Sequence, residues 1–191
     1  MRPVKVHFNK RNTILALFII VLSVTTFSFA HNNTVVIPLF ESASTVTEVS
    51  FSVKRDAEYD WPSNGSVETI DFSSDSTVWS NKGGGYDTMN NRFIAPASGV
   101  YTFNGAISFR QIAVGDFIYA LIVAGGKTYY GTRKNSSGTG ELVHVSLTVH
   151  LNAGEEAYLE GYVNDTSPPA SVYGNSSTTH AFTYFMGARV F

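Results

Sequence analysis

One stretch, Asn81 to Phe103, limits what this chain can fold into more than any other: NKGGGYDTMNNRFIAPASGVYTF. Its three successive glycines permit a turn that side chains at those positions would resist. They feed Tyr86 and Asp87, a polar turn follows, and Phe93 opens a strand. Pro96 and Gly99 interrupt that strand before Val100, Tyr101 and Phe103 begin the next. Beyond Gly99 the odd positions run Tyr101, Phe103, Gly105, Ile107, Phe109 and the even ones Val100, Thr102, Asn104, Ala106, Ser108, Arg110. A period of two predicts a strand with its aromatic face in a core and its more polar face elsewhere.

The rest of the chain agrees with that reading. No stretch of helical length with a 3.6-residue period appears after residue 30. The 14 Phe, 10 Tyr and 16 Gly, set among many Ser, Thr and Val, favour an all-β protein. At 191 residues the chain suits one domain behind a short leader. It has no cysteine, which removes disulfides, thiolate chemistry and zinc-thiolate sites together.

Residues 1–30 have the order of a secretory signal peptide. Arg2, Lys5, Lys10 and Arg11 precede an apolar run from Ile14 to Leu22, and Ser28-Phe29-Ala30 supplies the small-x-small cleavage site. The competing reading is an uncleaved anchor, but Thr13 to Phe29 is at the short limit of a span and Ser23, Thr25, Thr26 and Ser28 dilute it. Of the 13 basic and 15 acidic side chains, removal of the leader leaves nine against fifteen, a charge of −6. Such a domain, with no basic run, repels phosphate backbones, so nucleic acid is not an expected partner. The expected location is secreted, periplasmic or cell-surface, with no membrane contact after cleavage.

After the leader, residues 31–46 read as a short extension or edge strand, because Pro38 breaks the apolar run Val35 to Phe40. Val49, Phe51 and Val53 then alternate with polar residues as a half-buried strand does. Asp56, Glu58 and Asp60 alternate in a loop and form a calcium candidate through their hard oxygens. Trp61 stands where a helical calcium loop needs glycine, so a plain solvated acidic loop is the stronger reading and no cofactor is expected. Ile70 and Phe72 mark a further short strand.

On these residues the chain resembles the complement C1q and tumour-necrosis-factor-like family. The family joins an Asn, an aromatic, a Phe and a G-x-Y-x-F strand, here Asn81, Tyr86, Phe93 and Gly99-Val100-Tyr101-Thr102-Phe103. Its later apolar strand, tight acidic turn and next strand correspond to VSLTVHLNAGEEAYLEGYV, and its final F-x-G strand to AFTYFMGARVF with Gly187. The likeness covers residues 47–191. It departs at Gly105, where the family has an aromatic, and at Asp75, where the early Phe of the pattern would fall. It implies a jelly-roll β-sandwich of about ten antiparallel strands that assembles as a homotrimer. No Gly-X-Y repeat is present, so a collagen stalk is not expected.

Further on, Phe117 to Ala124 is apolar on both faces, and so is Phe182 to Phe191. A sandwich strand meets the core with one face only. Ile118, Ile122, Phe185 and Phe191 are therefore expected at an oligomer interface, since exposed apolar patches mark association; the resemblance supplies the number three. Gly125-Gly126 reads as a hairpin turn rather than part of a phosphate loop. Val143, Val145, Leu147, Val149 and Leu151 form an inward face. His144 and His150 share the other face ~20 Å apart, too far to grip one metal within a subunit. The loop from Asn164 to Thr179, with Tyr173, suits ligand contact or plain solvation. Asn32, Asn64, Asn135, Asn164 and Asn175 begin N-x-Ser/Thr sequons.

No nucleophile elbow, thiol or His-based base arrangement is visible. The expected function is an exported, trimeric, non-enzymatic recognition module whose loops bind an extracellular protein, a glycan or a surface. The alternatives are a structural trimerising component of an envelope or appendage, and a hydrolase using loop carboxylates. The leader generates the first test: intact-mass analysis of exported protein should show a chain beginning at His31. Retention of residues 1–30 would establish the anchor instead.

Overall fold

The computed structural model describes residues 48–62, 65–164 and 169–190. The leader, the extension at 31–46 and Phe191 lie outside them. Residues Thr47–Phe191 form one compact unit. Among the described residues there is no helix; thirteen strands form two antiparallel sheets. The excess over the ten expected comes from short pieces.

The seven-stranded sheet runs β2 (Tyr59–Asp60), β12 (Ser171–Val172), β7 (Gly99–Ile112), β13 (Tyr184–Arg189), β1 (Ser50–Arg55) and β4 (Ser76–Lys82), with β10 (Thr139–Leu151) on the free side of β7. The six-stranded sheet runs β5 (Tyr86–Asp87), β6 (Arg92–Ile94), β11 (Glu156–Asn164), β8 (Phe117–Ala124) and β9 (Lys127–Asn135), with β3 (Val67–Thr69) also on β11. The chain crosses between the sheets at the glycine-rich stretch, and Asn81 makes that crossing possible. Its side-chain amide donates to the carbonyl of Tyr86 at 2.9 Å and its carbonyl accepts the Tyr86 N–H at 3.0 Å. One side chain thus replaces a pair of ladder hydrogen bonds where the backbone turns away.

Between the sheets lies a cluster of rings. Phe51 stacks on Tyr86 at 4.9 Å and on Phe93 at 5.1 Å, and meets Phe185 edge-on at 4.9 Å. Phe93 reaches Tyr101 and Phe103, and Phe103 stacks on Phe185. Offset and edge-on pairs at these separations are the favourable geometries for aromatic quadrupoles. Tyr86, Phe93, Tyr101 and Phe103 are all buried, Gly99 opens β7, and Gly187 lies against the rings of Phe51 and Phe103. The alternation in β7 holds, with Tyr101, Phe103, Ile107 and Phe109 inside. The departure at Gly105 has a steric reason: a Cβ there would come within 2.5 Å of Leu159, whose side chain takes the space.

Two expectations are corrected. Ile70 and Phe72 are buried but belong to no strand; they plug the core from a bend, with the Phe72 N–H held by Asn91 at 2.7 Å. Ile118, Ile122 and Phe185, expected at an oligomer interface, are 0% exposed within the single chain. They face the chain's own core, and Phe191 lies outside the described residues. The opposite face of β8 is covered locally. Tyr119 stacks on Tyr162 at 4.6 Å, the Arg133 guanidinium sits 5.1 Å from the Tyr119 ring, and Leu121 is flanked in the ladder by Tyr130 and Glu160. Apolar content on both faces therefore does not require a second subunit.

Strands β9 and β10 close one side of the sandwich. They approach so tightly that a Cβ on Gly131 would lie 2.2 Å from the His144 carbonyl oxygen and 2.5 Å from Val145 Cβ. The connection between them is tied by Glu141. Its carboxylate accepts the Ser137 N–H at 2.8 Å, the Ser137 hydroxyl at 2.6 Å and the Lys134 ammonium. The hydrogen bonds from Lys134 and Ser137 lower its pKa from 4.5 to about 2. Because the folded value is depressed, this contribution is complete above about pH 4.5 and is lost as pH falls towards 2.

Replacing Gly131 by Ala should open the β9–β10 approach and destabilise the domain by about 1–3 kcal/mol in denaturant titration. Wild-type stability should decline between pH 4.5 and 2, and Glu141→Gln should remove about 1–2 kcal/mol at neutral pH and flatten part of that decline.

Candidate functional site

Two surfaces of the seven-stranded sheet have the chemistry of a binding protein. The first is its outer face. Cross-strand register places Ser50, Ala188, Thr102 and Thr148 in one row and Ser52, Met186, Asn104 and Ser146 in the next. Across these four strands neither row carries a charge, and every side chain but Met186 is short; the first row ends on β4 at Lys82, which pairs with Glu48. A shallow groove of about 270 Å³ runs over Ser50, Ser52, Ser80, Thr102, Asn104 and Met186. This is the even-numbered face of β7, read from the sequence as merely polar. His144 and His150 stand exposed along the adjacent edge of β10.

The second surface is a cleft at one end of the sheet, about 580 Å³ in volume and lined by Glu58, Arg110, Gln111 and Gly140. Four local features build it. Arg110, near the end of β7, lies over Tyr173, its guanidinium carbon 3.3 Å from the ring centroid. Tyr173 is in turn packed on Phe182 at 5.2 Å. Gln111 adopts a left-handed backbone at φ 56°, a conformation that ordinary side chains disfavour. On the far lip the β7–β10 register shifts between Thr139 and Gly140, just before the Glu141 clasp.

Beneath this end, two adjacent cations are buried. Arg55 is 2% exposed and donates to the carbonyls of Ala57, Asp71 and Ser74 at 3.2, 2.8 and 2.7 Å. Lys54 is 1% exposed and donates to the Asn175 carbonyl at 2.6 Å and to the Asp56 carboxylate. Three loop segments, at 56–57, 71–74 and 175, are thereby fixed by two side chains of β1. The Asp71 carboxyl feels burial, which raises its pKa. Hydrogen bonds from Ser73 and Ser74 and the charge of Arg55 outweigh that and hold it below the usual range.

The acidic triplet considered for calcium is dispersed. Burial raises the Asp56 pKa, but hydrogen bonds from Lys54 and Thr77 outweigh it and keep the group a carboxylate, engaged with those partners. Glu58 turns to the Ser171 hydroxyl, and Asp60 is exposed on β2. Among the described residues no three His, Asp or Glu side chains gather as a metal site would require. Sequence reasoning did pick out Tyr173 and its loop. It missed Arg110, whose signal was a lone charge ending an otherwise uncharged strand, and Gln111, which carries no sequence signal.

Comparison with known proteins places these features in context. The C1q domain profile matches residues 50–186. The globular domain of zebrafish complement 1qA protein superposes with a TM-score of 0.52 at 14% identity, covering 75% of this chain and 98% of that one. Eiger, a tumour necrosis factor from S. frugiperda, gives 0.51 at 8% identity over 76% and 94% of the two chains. Murine APRIL at pH 5.0 gives 0.50 at 10% identity over 75% and 99%. A search of curated proteins found no match. At such identities the superpositions establish the jelly-roll fold alone. With the profile spanning most of the domain, the chain belongs to the C1q domain family.

Proposed function

We propose that the protein is an exported, non-enzymatic recognition module that assembles as a homotrimer and binds an extracellular partner through loops at the end of the sandwich. The observation that carries the assembly is the uncharged middle of the outer face of the seven-stranded sheet, across β1, β13, β7 and β10. Protein interfaces are depleted of charge at their centres, and short side chains let two backbones approach closely. The family supports the number of subunits. This assembly differs from the one that apolar strands at 117–124 and 182–191 called for, because Ile118, Ile122 and Phe185 serve the chain's own core.

Binding is favoured over turnover by the state of the loop carboxylates. Asp56, Glu58 and Asp71 are each engaged, by Lys54 and Thr77, by Ser171, and by Ser73 and Arg55 respectively. Asp56 and Asp71 are held below the usual carboxylate range by these partners, which suits architecture better than proton transfer near neutrality, where a group must be poised to titrate.

Light scattering on size-separated protein should give a mass near three chains. Asn104→Arg, at the middle of the uncharged rows, should shift the mass to one chain while near-ultraviolet dichroism stays native, since juxtaposed like charges cost several kcal/mol at an interface. A wild-type mass of one chain would overturn the assembly.

A further inference from the structure

We propose that the Arg110 cleft binds a carboxylate-bearing sugar, a uronic acid or an oligosaccharide displaying one. The proposal deepens the reading of the protein as a recognition module, but it does not depend on the trimer. Among the described residues, no carboxylate forms an ion pair with Arg110. Its guanidinium is instead held over Tyr173 at 3.3 Å, which fixes its plane and leaves its edge donors for a ligand. A planar guanidinium fork matches a planar carboxylate with two parallel hydrogen bonds, and stacking means little freedom is lost on binding.

Glu58, which also lines the cleft, narrows the class. Its Oε1 takes the Ser171 hydroxyl, so the group is oriented and its second oxygen can accept from a ligand hydroxyl. One guanidinium and one carboxylate give the cleft walls no net charge, and Asp60 stands in the neighbouring ladder position beyond Ser171. A dianion such as a phosphate monoester would meet more repulsion than a single carboxylate does. The expected ligand therefore combines one carboxylate with several hydroxyl donors. The cleft is open to solvent, and its volume of about 580 Å³ admits a ring or two lying along its floor.

Gln111 is the independent mark of function. Its left-handed backbone aims an amide, able to donate and accept, at the mouth of the cleft, in a position glycine would fill with less strain. Strained backbone of this kind concentrates where a side chain is needed at a site. Asp75 and Asn91 adopt the same left-handed backbone away from the cleft, so it is the joining of that backbone to a place on the cleft wall that singles out Gln111.

The test is calorimetric titration of the full chain with glucuronate and with an oligouronate, using glucose and acetate as half-ligands, glucose 6-phosphate as the rival dianion, which should bind more weakly than the uronates, and glucose 6-sulfate as the rival monoanion. The uronates should bind, and glucose and acetate should each bind at least about tenfold more weakly, the equivalent of one charge-assisted hydrogen bond. Arg110→Lys should weaken uronate binding by at least about tenfold, because the charge remains but the fork and the stacked plane do not. Gln111→Gly should weaken binding while raising Tm by about 2–4 °C, which separates ligand contact from folding. Uronate binding that is absent, or unchanged in both variants, would overturn the proposal, as would preference for the sulfate or the phosphate. A fall in oligomeric mass on Arg110→Lys would also overturn it, by making Arg110 a contact between subunits. A wild-type monomer that still binds uronate would reject the trimer alone.

Discussion

The fold depends on rings meeting across the gap between two sheets. Phe51, Phe103 and Phe185 come from the seven-stranded sheet, Tyr86 and Phe93 from the short strands of the other. A chain without cysteine has no covalent tie to hold its sheets in register. The ring cluster supplies that function by shape, since each phenyl fits against two or more others and a slip of one residue would turn it out of the core. Removing one such ring from a core costs about 3–5 kcal/mol, a large part of the ~5–15 kcal/mol by which domains are stable. Asn81 matters for the same reason, because its double hydrogen bond delivers Tyr86 to the cluster.

A second device sits at the end of β1. Burying two neighbouring cations is costly unless each is satisfied, and here Lys54 and Arg55 are satisfied mainly by backbone carbonyls of loops. The loops in turn lose the freedom that irregular segments usually have. That arrangement explains how a sandwich end made of turns can hold a cleft of definite form. The stacked column of Arg110, Tyr173 and Phe182 leans on segments that Arg55 and Lys54 have already fixed.

Much of this was legible in the sequence, and the failures have physical causes. The alternation in β7 gave its core residues directly, and Gly125-Gly126 is the hairpin turn expected, both residues at positive φ. Ile118 and Ile122 misled because periodicity reveals that a strand is apolar on both faces without saying what covers the second. Tyr162 and Arg133, distant in sequence, cover it. Phe72 misled because alternation over three residues cannot distinguish a strand from a bend that plugs a core. The buried cations were invisible, since lysine and arginine are rarely interior and their partners here are carbonyls, which every residue has. Arg110 was overlooked because its meaning depends on Tyr173, sixty-three positions later.

The rows of serine, threonine, alanine and asparagine on the outer face have a consequence for evolution as well as for assembly. Long side chains must surrender rotamer freedom when a surface is covered, whereas these short ones have little to surrender. Whatever settles on that face is therefore met by a surface already in its final form, with recognition residing in the contour of the backbone. Exchanges among small residues should pass almost unnoticed there. A second long side chain beside Met186, even an uncharged one, would alter the spacing along both rows.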